Sequence, residues 1–183
     1  MKIILNLQDE EYPHQEIKEV REIARGLVSD GHGHFAVHHI VRKDLFGSYD
    51  YYETPGGGVD QGETPEIAVV RECREELGYS VKVLDELGFV DDYYNLIGRE
   101  NHNHYFICLR EGDYLCRHFV SDGDQMIKET LWLPLEQVIA LYENVPNGKL
   151  PNLVKARELP FWIEASKRSQ SALKALADSR GVE

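Results

Sequence analysis

Residues 57–79 read Gly57-Gly58-Val59-Asp60-Gln61-Gly62-Glu63-Thr64-Pro65-Glu66-Ile67-Ala68-Val69-Val70-Arg71-Glu72-Cys73-Arg74-Glu75-Glu76-Leu77-Gly78-Tyr79. The ends of a helix are legible in that stretch. Thr64 is a good N-cap, Pro65 suits the first helical position, where its missing N–H had no partner anyway, and Gly78 is a natural left-handed stop. The signals predict a helix over 65–77. At about 100° per residue, Ile67, Val70, Cys73 and Leu77 share one side, and Glu72, Glu75 and Glu76 stack on roughly the opposite side. Like charges at i, i+3 and i+4 repel. Glu75 and Glu76 also sit in the last turn, where the helix dipole disfavours each carboxylate by about 0.3–1 kcal/mol. Stability alone would place Lys or Arg there. A solvated acidic face is the ordinary explanation, but a local rule broken without structural gain is where a functional site is expected, and the trio asks for a hard divalent cation.

The preceding residues strengthen that reading. Thr54-Pro55-Gly56-Gly57-Gly58 and then Gly62-Glu63 form a glycine-rich turn. Glycine lets backbone amides and carbonyls approach a ligand closely, so turn and helix together make a cup for a metal and a phosphate, with Gly57 and Gly58 as substrate-contacting candidates.

The segment resembles the Nudix box: Gly, five residues, Glu, seven residues, then Arg-Glu-aliphatic-x-Glu-Glu-x-Gly-aliphatic. Those places hold Gly57, Glu63, Arg71, Glu72, Cys73, Glu75, Glu76, Gly78 and Tyr79. At roughly 7% usage per residue type, a chance match at the seven fixed positions is on the order of one in 10⁸ per starting point. Cys73 and Tyr79 depart from the usual aliphatic residues and remain apolar enough to pack. The resemblance implies an α/β/α sandwich and a Mg²⁺-dependent hydrolase of diphosphate linkages, with Mn²⁺ as a substitute. It makes Glu75 and Glu76 the main metal ligands, the Gly56 carbonyl a backbone ligand, and Glu72 either a further ligand or the base that activates water. Arg71 is implied to pair with a box glutamate and orient it, rather than to be an ordinary surface arginine. A downstream acid often completes such sites just before a strand bearing a Trp. Glu129, ahead of Thr130-Leu131-Trp132, is the first candidate, with Asp122 and Asp124 as rivals.

Working outward, 183 residues with 42% hydrophobic content are enough for one domain with a real core. The strand-like stretches 2–7, 22–29, 35–42, 49–53, 81–90, 104–109 and 130–133 surround the box helix. Helical stretches follow at 135–143 and 161–178, the last with Ala165, Leu173, Leu176 and Ala177 as packing residues. This order predicts an α/β (α+β) fold, a mixed sheet between helices. The expected division is a catalytic domain over 17–150, an N-terminal strand within 1–8 packed on it, and a C-terminal helical extension over 151–183 that packs on the domain, closes a homodimer or stays mobile.

The net charge of −12 argues against general nucleic-acid binding and leaves a small anionic substrate, provided metal ions and local cations reverse the sign inside the pocket. No long apolar run indicates a membrane span. The opening residues, soon acidic, do not read as a signal peptide, which predicts a cytoplasmic chain. The three cysteines have no zinc-type spacing and read as reduced thiols.

Among the eight histidines, His38 and His39 are adjacent in a strand and face opposite sides, so they do not jointly ligate a metal, while His104 is placed where it could meet a phosphate. Tyr94 and other tyrosines are candidates for stacking on a base, and Arg42, Lys43, Arg99 and Arg110 for phosphate contacts, each against the plainer role of core aromatic or surface charge. The box names the chemistry and not the leaving group. No coenzyme A or NADH motif accompanies it, no Pro stands near Asn95 where the ADP-ribose group favours one, and Tyr93 and Tyr94 come early for the dinucleoside polyphosphate group. The leading expectation is hydrolysis of a nucleoside diphosphate linked to a further moiety. The alternatives are a housecleaning nucleoside triphosphate pyrophosphatase and a non-catalytic nucleotide sensor.

Overall fold

The computed structural model describes residues 2–120 and 123–180, with side chains described to residue 169. Among the described residues the chain forms strands β1 (Ile3–Leu7), β2 (Glu19–Ser29), β3 (His34–Asp44), β4 (Gly47–Glu53), β5 (Gly56–Gly58), β6 (Ser80–Tyr94), β7 (Arg99–Glu111) and β8 (Ile127–Pro134), and helices α1 (Pro65–Leu77), α2 (Leu135–Glu143) and α3 (Lys149–Arg180). The sheet order is β1-β6-β7-β2-β3-β4, with β5 on β2 and β8 on β3. β1 runs parallel to β6 and β2 parallel to β7, while the other pairings are antiparallel, so the sheet is mixed as expected. Ile23 to Val28 of β2 are all buried, which is what a central strand covered on both faces requires.

Two apolar layers cover the sheet. On one face α1 packs through Ala68, Val69, Cys73 and Leu77 against Ala24, Val28, Ala36, Phe106 and Cys108. On the other face α2 and α3 bring Val138, Tyr142, Leu150, Val154, Phe161 and Trp162 against Leu27, Val37, Val90 and Tyr105. The result is an α/β/α sandwich. None of the described helices is long and apolar enough to cross a membrane.

The bounds of α1 follow from its caps. The Thr64 hydroxyl accepts from the Ile67 N–H at 3.3 Å, Pro65 begins the helix, and Gly78, at φ 73°, turns its N–H back to the Arg74 carbonyl. The packed face differs from the expected one. Ile67 is exposed and Val70 only partly buried, whereas Ala68, Val69, Glu72, Cys73 and Glu76 point inward. The cause is a close approach to β2. A Cβ at Gly26 would stand 3.0 Å from Val69 Cγ2 and 3.1 Å from Cys73 Sγ, so small side chains must line the contact and the larger Ile67 is turned out. The glutamates at 72 and 76 are thereby carried toward the sheet and away from bulk solvent.

α3 begins well before the expected residue 161 and runs through Pro160. A proline in a helix interior removes one hydrogen bond and costs about 3 kcal/mol in isolation. Here Arg157, Glu158, Phe161 and Trp162, all within three residues of it, are buried to 0–1% exposure, and that packing holds the helix on course. Leu173, Leu176 and Ala177 lie outside the residues whose side chains are described.

Candidate active site

β5 places the glycine turn antiparallel to β2, with Gly56, Gly57 and Gly58 opposite Arg25, Ala24 and Ile23. Gly56 has φ 138°, and a Cβ there would lie 2.1 Å from the Ala24 carbonyl oxygen, so no other residue fits without moving the backbone. The Gly56 N–H donates to Glu76 Oε2 at 2.8 Å. The same oxygen takes His38 Nε2 at 3.1 Å, while His38 Nδ1 meets Thr130 Oγ1 at 2.9 Å. With the carboxylate ionised, Nε2 carries the proton and the Thr130 hydroxyl donates to Nδ1. Glu76 is therefore fixed from β5, β3 and β8 at once.

Glu72 stands against Gly57. A Cβ at Gly57 would come within 2.6 Å of the Glu72 carboxyl carbon. Arg71 binds this region together: its Nη1 donates to Glu72 Oε1 at 2.7 Å and reaches Glu75 Oε2 at 3.5 Å, and its Nη2 donates to the Gly58 carbonyl at 2.8 Å and Glu63 Oε2 at 2.9 Å. Burial pushes the Glu72 carboxyl up to about 7; Arg71 pulls it down, and the Glu76 and Glu75 charges raise it further. Two buried carboxylates one helical turn apart, beside the glycine strand β5, are the kind of oxygen donors that suit a hard divalent cation. Glu72 and Glu76 line the cleft together with Gly56. Glu75 is turned toward Arg71, and no group of three His, Cys, Asp or Glu side chains is gathered in ligating geometry among the described residues.

The cleft in front of these groups has a volume of about 250 Å³. Gly56, Gly57, Gly58, Glu72 and Glu76 form one wall, and Arg42, Tyr94 and Asp124 line it elsewhere. Arg42 is held by Asp44, donates to the Tyr51 hydroxyl at 3.3 Å and lies 4.9 Å over the Phe46 ring. Tyr94 is buried, and its hydroxyl accepts from Arg157 Nη1 at 2.8 Å, so it is anchored rather than free to move onto a base.

Glu129 is elsewhere. It pairs with His39 in register, and His39 contacts Glu129 at 3.1 Å and Asp50 at 2.6 Å on the far face of β3. Strand alternation gives the cleft to His38, backed by Thr130, and denies it to Glu129. The downstream acid that reaches the cleft is Asp124, 6% exposed, whose Oδ2 accepts from the Val120 N–H at 2.7 Å. Asp122 lies outside the described residues. His104 sits with His102 around Glu22, on the face opposite Arg21 and Asn101, and so does not meet the cleft. Arg110 stacks over Tyr79 and Trp132 away from it. The sequence reading passed over His38, Arg21, Asn101 and the Arg25–Arg157–Glu158 group. Alternation along β2 puts Arg21 and Arg25 on one face of the strand, but only strand order says that His38 meets α1 while Arg25 meets the last helix.

Gly57→Ala is expected to lower turnover by about 10²-fold, since the new methyl displaces the Glu72 carboxylate by ångström-scale movement. Gly57 is not among the glycines with positive φ, so thermal unfolding should stay close to wild type. Wild-type turnover in the purified variant would show that the Gly57–Glu72 contact is irrelevant to catalysis.

A family model described as the NUDIX domain matches residues 20–153. The chain is 32% identical over 130 residues to an RNA pyrophosphohydrolase of Psychrobacter cryohalolentis, covering 62% of this chain and 74% of that one. It is 31% identical over 90 residues to the putative mutator protein MutT4 of Mycobacterium tuberculosis, 48% of this chain, and spans only 34% of that relative's length. Among solved structures, the MutT protein from Methanosarcina mazei Go1 superimposes with a TM-score of 0.57 at 19% identity, covering 83% of this chain and 96% of that one.

Proposed function

The chain belongs to the NUDIX family of pyrophosphohydrolases, and on that premise we propose that it is a Mg²⁺-dependent hydrolase of a nucleoside diphosphate derivative. Water attacks one phosphorus of the P–O–P linkage, releasing a nucleoside monophosphate and the phosphorylated remainder. The observation that carries this reading is the pair of buried box carboxylates at the wall of a cleft that arginines also line, Glu76 held by His38 of β3 and the Gly56 N–H of β5 and Glu72 by Arg71 of its own helix.

Glu72, Glu76 and the Gly56 carbonyl would hold the cation, with Glu75, now turned toward Arg71, as a further ligand. Bound there, Mg²⁺ or Mn²⁺ neutralises phosphate oxygens and lowers the pKa of water. The residues of the chain supply position. Arg71 orients Glu72 and ties it to the Gly58 carbonyl and Glu63. His38, set by Thr130, keeps the Glu76 carboxylate aimed at Gly56. Arg42 and the Gly57 and Gly58 backbone are offered to the substrate phosphates. Such positioning and charge stabilisation account for most of phosphoryl-transfer catalysis.

About 250 Å³ is below the roughly 300–1,000 Å³ of ligand pockets, which supports enclosure of the diphosphate with the bulkier end left outside. The net charge of −12 supports a small-molecule substrate over a long nucleic acid, although the Psychrobacter relative is named for RNA. The test is incubation with Mg²⁺ and a panel of nucleoside triphosphates, dinucleotides and nucleotide sugars, with phosphatase-coupled detection of released phosphate. Product from at least one member is expected. No product from any, at neutral to alkaline pH, would sink the hydrolase reading in favour of a nucleotide sensor.

A further inference from the structure

Five arginines line the cleft of this acidic chain, and they are not equivalent. Arg157 is neutralised by Asp92 and Glu158, Arg25 by Glu53 and Glu158, and Arg42 by Asp44. Arg21 and Arg99 make no ion pair with any described residue, and the Arg99 Nε is buried without a hydrogen-bond partner. Burial, and then Arg21 beside it, hold the Arg99 guanidinium below its ordinary range despite Glu19 and Asp92 nearby.

Strand register explains why they meet. β2 and β7 run parallel, with Glu19 opposite Arg99 and Arg21 opposite Asn101, so residues 21, 99 and 101 share the cleft-facing side of the sheet. Asn101 is 1% exposed and donates its Nδ2 to Asp92 Oδ1 at 2.9 Å, which fixes the amide and leaves its Oδ1 buried and unbonded. Arg21 lies over Gly58, where a Cβ would stand 2.7 Å from its Nη2. The group therefore adjoins the box turn. Two neighbouring guanidiniums that no carboxylate pairs with directly, one with a buried unbonded Nε, stand beside an unsatisfied buried acceptor, an arrangement that an anionic ligand would complete.

We propose that Arg21 and Arg99 form an anion subsite that takes a phosphate the substrate carries in addition to the two joined by the scissile P–O–P linkage, with Asn101 Oδ1 accepting from an adjoining hydroxyl. This rests on the hydrolase reading of the same cleft, and it specifies that the substrate bears a third phosphate. The extra phosphate has two sources, in line as in a nucleoside triphosphate or pendant on a sugar.

The experiment uses the full chain and two probe pairs: ATP against ADP-ribose for the in-line source, and coenzyme A against dephospho-coenzyme A for the pendant one. Arg21→Gln and Arg99→Gln should each cost about 10- to 100-fold in kcat/KM, chiefly through KM, on the phosphate-bearing member of at least one pair. The other member should change by no more than about 3-fold. Equal losses on both members, or no loss on either, would overturn the subsite. Equilibrium binding of the four probes in EDTA separates the two readings. If nothing is turned over but the variants still weaken binding of a phosphate-bearing probe selectively, the hydrolase reading fails and the subsite stands. Unchanged binding of all four removes the subsite.

Discussion

Glu76→Gln lowers kcat by about 10²–10⁴-fold, the equivalent of roughly 3–5 kcal/mol of lost charge stabilisation, while the protein still unfolds cooperatively near the wild-type temperature. The separation of effects follows from geometry. Both contacts of the wild-type carboxylate, from the Gly56 N–H and from His38 Nε2, fall on the single oxygen Oε2. A glutamine can present its amide oxygen to the same two donors, so the fold loses little. What disappears is the negative charge facing the cleft, and with it the demand for a divalent cation. Steady-state turnover on the best substrate of the panel, with Mg²⁺ present, together with a thermal melt, checks both halves. Full activity in the variant would remove Glu76 from the site.

Glu158→Ala has the largest expected effect on stability, about 3–5 kcal/mol, because it leaves charges buried without a partner. Oε1 meets Arg157 Nη2 at 2.6 Å and Arg25 Nη1 at 3.5 Å, while Oε2 accepts from the Thr54 N–H, the Thr54 hydroxyl and the Tyr142 hydroxyl, each at 2.7 Å. For a chain of this size the loss lowers the melting temperature by roughly 6–20 °C. Thr54 opens the glycine turn, so a residue on the last helix also fixes where β5 begins. Burial alone would raise the Glu158 carboxyl, but Arg157 and Arg25 hold it below the usual carboxylate range. A depressed folded-state value means that this stabilisation is present above the unfolded value, about 4.3, and is lost as pH falls through the folded one. Urea midpoints for wild type and Glu158→Gln should therefore converge toward low pH. A Glu158→Ala variant as stable as wild type at pH 7 would contradict the account of this network.

The local features were legible because local chemistry causes them. Thr64, Pro65 and Gly78 bound α1 where the structure has it, and the helix expected over 135–143 is present as α2. The glycine turn and the glutamate spacing pointed to the cup and its chemistry. α3 was underestimated, since Pro160 breaks an isolated helix and only the burial of Arg157, Glu158, Phe161 and Trp162 sustains it. Glu129 stands ahead of a Trp-bearing strand, as the expected downstream acid does, but a difference of one residue in a two-residue repeat turns its side chain to the face away from the cleft.

Sequence by itself determined the box helix, its capping, the acidic i, i+4 pair and the family, because each depends on residues within a few positions of one another. Tertiary structure alone decided which face of α1 is buried, that Glu75 turns to Arg71, that Asp124 rather than Glu129 reaches the cleft, and that Arg21 meets Arg99. Those outcomes depend on pairings such as β2 with β7, whose partners, Glu19 with Arg99 for example, are far apart along the chain. Their register is set by the summed burial of two apolar layers, a quantity that no short window of residues contains.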